Sequence, residues 1–320
     1  MAVSGEYPAS TASAALKLFT RRFGARYARS IRIEGTSSPS EGLTTGTATV
    51  GREWTLAFAL ADTLAADATV EWEAARAAVE HRLDAEGRSI ALWVPRGGAF
   101  PAEEPGLSKL ALHVAEARPI DDGRLEVHRP VKLYLRRVDP SGSVVTIMGG
   151  LGPHWAQFTN RVPGTFSLNS AELLRLPAGQ DERDALAENI VLAANEPDID
   201  NVHVIPAEDV WTANDLQEGG SCVLGTPRPE TEESSALLRR NLRKLLQEAA
   251  PVAAADATAR ALILLGASTY AEEEKLSWAI RGMDPALYAG FDIIAVVADG
   301  QVKAILEPPR GTLPWDAPPA

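Results

Sequence analysis

The chain of 320 residues holds a single cysteine, Cys222. One thiol excludes an internal disulfide framework and fits a reducing cytoplasm. Lysine is nearly as scarce: six against 25 arginines in an alanine-rich chain, a bias that points to a GC-rich bacterial genome. No run of about 18 apolar residues occurs, so no membrane-spanning helix and no membrane association are expected. The opening MAVSGEYPASTASAALKLFTRRFG lacks the basic-then-apolar order of a secretory leader, so a cytoplasmic protein is expected.

The motifs that name a reaction are missing too. GGLG at 149–152 is not followed by the Lys-Ser/Thr of a phosphate loop, nor does it open the three-glycine dinucleotide turn. No Gly-x-Ser-x-Gly elbow is present. Cys222 sits in GGSCVLG with no histidine placed beside it, the pattern of a small buried side chain. The five histidines (His81, His113, His128, His154, His203) show no i, i+4 pair, and there is no Cys-x-x-Cys. No metal ligand set and no cofactor are expected from such spacing. His113 and His128 are read onto neighbouring strands, where they could meet.

Pro197-Asp198-Ile199-Asp200 resembles the Pro-Asp half of restriction-type nuclease sites. Those sites also need a strand carrying an acid, one spacer and a lysine. The next strand, NVHVIP, has no acid, and no lysine occurs between Lys132 and Lys244. The signature is therefore absent in order, and both aspartates suit a turn.

Charge is present but unevenly spread. The net charge is −12. Against that, residues 124–177 carry seven bases and three acids, and residues 1–34 carry six bases and two acids. Segregated charge of this kind favours an anionic partner locally despite the global sign.

Periodicity gives the organisation. Leu16, Phe19, Phe23 and Tyr27 form the apolar face of a short basic helix. Strands are read at 54–60, 89–94, 109–118, 126–137 and 143–148, and helices at 70–83, 170–176 and 181–194. Asp139-Pro-Ser-Gly142 reads as a hairpin loop between two of these strands. Residues 237–249 are an amphipathic helix. Ala261–Leu265 and Phe291–Ala298 are buried strands flanking a helix at 271–283, a right-handed parallel crossover. Asp299-Gly300 then turns into an edge strand at 301–306.

The fold class is therefore α+β: a mostly antiparallel sheet domain, then a small α/β unit with a strand–helix–strand crossover and a terminal hairpin. The expected parts are a basic, partly disordered arm at 1–34, an α+β domain at 35–194, an irregular connection at 195–233, the α/β domain at 234–307 and a Pro-rich tail at 308–320.

If 126–137 is one strand, Lys132, Tyr134 and Arg136 share a face, with Val131 and Leu133 on the other. Base, aromatic, base on an open sheet suits phosphate contact with stacking. His154, Asn160 and Arg161 could join from the following loop. The first functional reading is a non-catalytic, soluble component of a bacterial complex that contacts nucleic acid or a protein partner through this face. A second is a metal-dependent hydrolase, a divergent nuclease for example, using Asp198, Asp200 and Asp292. A third is a purely structural subunit.

Overall fold

The computed structural model describes residues 11–63, 70–95, 97–120, 123–148, 160–196, 202–225, 242–266, 283–309 and 311–316. The architecture is α+β with mostly antiparallel sheets. No helix among the described residues is long and apolar enough to cross a membrane. The contacts divide the chain into one unit of residues 1–102 and 214–320 and a second unit of residues 103–213.

The first unit is built on a six-stranded sheet in the order β1-β2-β3-β11-β12-β13. Its strands are β1 (Ile31–Ser40), β2 (Leu43–Val50), β3 (Trp54–Asp62), β11 (Ala259–Leu265), β12 (Ile293–Ala298) and β13 (Gln301–Leu306). The first three form an antiparallel meander. β3 lies parallel to β11, from Leu56–Ala259 to Asp62–Leu265, and β11 lies parallel to β12. Strands from the regions read as 35–194 and 234–307 thus enter one sheet. The composition-based boundaries therefore do not coincide with the contact units.

The central strands run apolar through Leu56–Ala61, Ala261–Leu265 and Ile293–Ala298 because both faces are covered there. Phe58, Leu60, Ile263, Leu265, Ile293 and Val297 belong to one core. Ala59, Ala61, Leu262, Leu264, Ile294 and Val296 belong to the other, beneath Leu242, Leu245, Leu246 and Ala249. Residues 242–248 are helical, as their spacing predicts. The helix expected at 271–283 lies outside the described residues save Met283. Asp299 and Gly300 take φ of 50° and 75°, the pair of left-handed residues that a tight hairpin turn requires. At the β2–β3 pair, a Cβ on Gly46 would lie 2.2 Å from the Gly35 carbonyl and 2.7 Å from the Phe58 ring, so only glycine fits there.

Helix α1 (Thr11–Tyr27) is not an arm. Leu16, Phe19, Phe23 and Tyr27 are buried in the first core, with the Phe19 and Phe23 rings 4.4 Å apart. Trp315, from the expected Pro-rich tail, is buried there as well, 6.4 Å from the Tyr27 ring. One tryptophan buries enough apolar area to hold such a tail down.

Helix α2 (Val70–Ala85) ends at Gly87, whose φ is 71°. Asp84 accepts the Ser221 N–H and Glu80 accepts the Val223 N–H, at 2.6 and 2.9 Å. These bonds dock β10 (Cys222–Leu224), which runs parallel to β4 (Ile90–Trp93). Cys222 is fully buried, and burial pushes its thiol far above the ordinary range. Its labelling by a thiol reagent at pH 8 should therefore wait for local opening. We expect native labelling slower than unfolded labelling by on the order of a thousandfold or more. Labelling at the unfolded rate without denaturant would contradict this placement.

The second unit holds α3 (Gly106–Ala115), β5 (Arg118–Pro119), β6 (Arg124–Asp139), β7 (Ser143–Met148), β8 (Gly164–Asn169), α4 (Gln180–Ala194) and β9 (His203–Asp215) as far as Ala213. Its strands run in the order β9-β6-β8-β7, with β5 against β6. Leu133, Leu135, Phe166, Leu168 and Ile205 face Leu186, Ala187, Ile190 and Val191 of α4.

Four expectations are corrected here. Residues 109–118 are mainly helix: Leu110, Ala111 and Val114 are buried at helical spacing. His113 is thus on α3 and not on a strand. The β6–β7 hairpin does not form, because β8 inserts between them, antiparallel to β6 and parallel to β7. Gly164 permits this, since a Cβ there would lie 2.8 Å from the Asp139 carbonyl and its φ is 133°. Residues 170–176 form turns, with the Leu174 and Arg175 N–H groups donated to Asp209. Finally, the stretch 195–233, read as irregular, contains the 13-residue β9 and also β10.

Candidate functional site

β6 alternates as its sequence requires. Leu133 and Leu135 are buried, while Lys132, Tyr134 and Arg136 are exposed on the opposite face. Cross-strand pairing extends that face over three strands. Tyr134 lies opposite Asn169, which lies beside Met148. Arg136 lies opposite Ser167, which lies beside Thr146. Thr165 pairs with Val144, close to Val138 at a register shift in β6. Tyr134, Arg136, Val138, Met148, Asn169 and Val202 line a shallow depression of about 460 Å³.

This face is more apolar than its sequence suggests. Eleven large apolar side chains are exposed among the described residues. Six of them belong here: Tyr134, Val138, Val144, Met148, Val202 and Val204. Val204 shows an exposed position next to buried Ile205, which packs with Leu133 and Leu135 beneath the sheet. Neither the Lys132 ammonium nor the Arg136 guanidinium has an ion-pair partner among the described residues. The Lys132 backbone N–H is donated to Glu172 at 3.4 Å.

The other candidates are placed differently. Arg161 forms an ion pair with Glu188 on α4, the helix that covers the buried face. Asn160 has a φ of 69°, and its N–H is donated to the Ser143 carbonyl. Neither lines the depression. His154 lies outside the described residues, as do Trp155 and the GGLG turn.

The N-terminal bases are spent on the fold. Lys17 and Arg21 donate to the carbonyls of Glu218 and Asp215. Arg26 pairs with Glu307, and the Arg29 guanidinium lies 5.8 Å from the Trp54 ring centre.

Of the hydrolase acids, Asp198 and Asp200 lie outside the described residues. Asp292 accepts the Arg260 N–H at 2.8 Å, with the Arg260 guanidinium 3.6 Å away. Its carboxylate is committed to fastening β11.

A second cluster escaped sequence reasoning. Glu126 and His128 sit two apart on β6, so their side chains leave the strand on the same side. Glu182, in the first turn of α4, meets them, and one ligand-type atom from each lies within 4.8 Å of the others. Glu126 accepts the Ala178 N–H at 2.7 Å through Oε1, and its Oε2 lies 3.4 Å from His128 Nε2. Glu208 of β9 lies 2.7 Å from His128 Nδ1. Glu182 follows Glu126 by 56 residues and Glu208 follows His128 by 80, so no short motif reveals them.

Comparison of the chain with protein-family models, with curated proteins and with solved structures found no match.

Proposed function

We propose that this protein is a non-catalytic interaction component that binds a protein partner through the open face of β6, β8 and β7 and the adjoining start of β9. The supporting observation is the concentration on one face of six of the eleven exposed large apolar side chains. A contiguous apolar patch with a basic fringe marks a protein contact. Lys132 and Arg136 favour an acidic partner segment, and Tyr134 supplies an amphipathic anchor. The net charge of −12 works against a polyanion at long range.

The test uses a photocrosslinking residue at Tyr134 in cells, with the same residue at Leu192 on α4 as control. One discrete protein adduct is expected from position 134 and none from 192. Adding Met148→Glu with Val138→Glu should weaken that association about tenfold or more, since charge is placed in an apolar contact. Equal adduct patterns from both positions would overturn the proposal. A titration with single-stranded nucleic acid covers the rival partner. Binding at low salt, with a log–log salt slope flattened by about 1.5 to 2 in the Lys132→Ala/Arg136→Ala variant, would assign the face to nucleic acid.

A further inference from the structure

We propose that Glu126, His128 and Glu182 form a binding site for a divalent first-row transition ion of the Zn²⁺ or Mn²⁺ class. The His128 side chain is nine-tenths buried, with 9% of its surface exposed. Its Nε2 has no hydrogen-bond partner. Glu208 is a carboxylate and accepts, so the short contact at 2.7 Å assigns the proton to Nδ1. Nε2, the ring atom left without a hydrogen-bond partner, faces Glu126 Oε2 at 3.4 Å. A cation seated between the unpartnered ring nitrogen and this buried carboxylate oxygen satisfies both.

The geometry suits a metal ion. Bonds of about 2.0–2.1 Å to nitrogen and oxygen place neighbouring ligands of a tetrahedral ion roughly 3.3–3.5 Å apart. The Nε2 to Oε2 separation is 3.4 Å. Glu126 is held in place by the Ala178 N–H on its other oxygen. Glu208 supplies the carboxylate that fixes a ligating histidine's tautomer and ring orientation. Glu182 is the exposed member of the three. Its present partner is Arg118 at 3.2 Å, a pair with 61% and 43% of the two side chains exposed. Exposed pairs of this kind are weak, so an ion can draw Glu182 inward. Gly179, at the start of α4, leaves room for that carboxylate: a Cβ there would lie 3.0 Å from Glu182 Oε2.

Three carboxylates against one guanidinium make the cluster cation-attracting. One imidazole among the ligands favours Zn²⁺ or Mn²⁺ over Ca²⁺ and Mg²⁺, which prefer all-oxygen shells. Three protein ligands leave a fourth position open on the exposed Glu182 side, where an ion keeps water.

The experiment is calorimetric titration of the full chain, stripped with chelator, with Zn²⁺, Mn²⁺ and Ca²⁺. One equivalent of Zn²⁺ or Mn²⁺ should bind, and Ca²⁺ should bind at least about a hundredfold more weakly. His128→Asn and Glu126→Gln should each weaken binding about a hundredfold or more. Glu208→Gln, a positioning change, should cost about 10–100-fold. Cobalt substitution adds a spectroscopic readout: the visible band of a four-coordinate Co²⁺ ion should be lost in His128→Asn. Glu126→Gln keeps Oε1 for Ala178, so it remains informative if the histidine variant fails to fold. No binding at millimolar Zn²⁺ and Mn²⁺ would overturn the proposal. Binding unchanged in both His128→Asn and Glu126→Gln would overturn it as well.

Discussion

Ile263→Asp is expected to unfold the first unit. Ile263 is fully buried on β11, with β3 on one side and β12 on the other. A carboxylate there shares a core with Phe58, Leu60 and Leu265, whose side chains cannot donate a hydrogen bond. An unpaired buried charge is among the few changes that cost more than about 4–5 kcal/mol. Domains of this kind hold only about 5–15 kcal/mol in all. Burial would raise the introduced group's pKa above its unfolded value. Stability would then be best below the unfolded pKa and lost as pH rises through the folded one. Val296→Asp should act similarly from the opposite face, since Val296 pairs with Leu264 and belongs to the other core. Ile263→Val should cost only about 0.5–1.5 kcal/mol. Thermal unfolding followed by circular dichroism checks the series. An Ile263→Asp protein that melts with the wild type would show that β11 does not lie between two covered faces.

The apolar runs at 261–265 and 293–298 were legible because a strand covered on both faces has no polar position to hide it. The turn at Asp299-Gly300 was legible because two successive left-handed residues demand such chemistry. Helix α1 was legible from Leu16, Phe19, Phe23 and Tyr27. Its place in the core was not, because the aromatic partner, Trp315, lies at the far end of the chain. Strand pairing was the weak link throughout. Asp139-Pro-Ser-Gly142 is a sound local turn, but whether β6 and β7 pair depends on β8, which local residues do not encode. Likewise nothing near Trp54 announces that β3 will pair with residue 259 onward.

The same division runs through the candidate site. The period of two placed Lys132, Tyr134 and Arg136 together, because that rule is local to one strand. It did not show that Met148, Val144 and Val202 would surround them, since that needs the strand order. Arg161 was read into the patch by proximity in sequence, whereas its ion pair with Glu188 takes it toward α4. Glu126 and His128 were readable as a pair on one side of a strand. Their partners, Glu182 and Glu208, come from a helix and another strand, and only the folded chain brings them close.

Asp209→Ala is expected to be the most damaging single change in the second unit, at about 3–5 kcal/mol. Asp209 is 1% exposed on β9. Its Oδ1 accepts the N–H groups of Leu174 and Arg175 at 2.8 and 2.9 Å, and its Oδ2 accepts the Trp211 indole N–H at 2.9 Å. The Arg129 guanidinium lies 3.8 Å from Oδ2 and 3.9 Å from the centre of the Trp211 ring. Burial pulls the Arg129 pKa down, while Asp209 and Glu172 oppose that pull. Truncation removes an acceptor from three donors and the nearer counter-charge from a half-buried cation. Asp209→Asn should cost less, about 1–3 kcal/mol, since one oxygen can still accept the two backbone donors. Urea unfolding, with the slope compared between variants, measures both. A double-mutant cycle separates the charge pair from the backbone bonds. Arg129→Met in the Asp209→Asn background should cost less than Arg129→Met alone, because the buried carboxylate is no longer stranded. If Asp209→Ala lies within about 1 kcal/mol of the wild type, the residues after β8 are not held by this carboxylate.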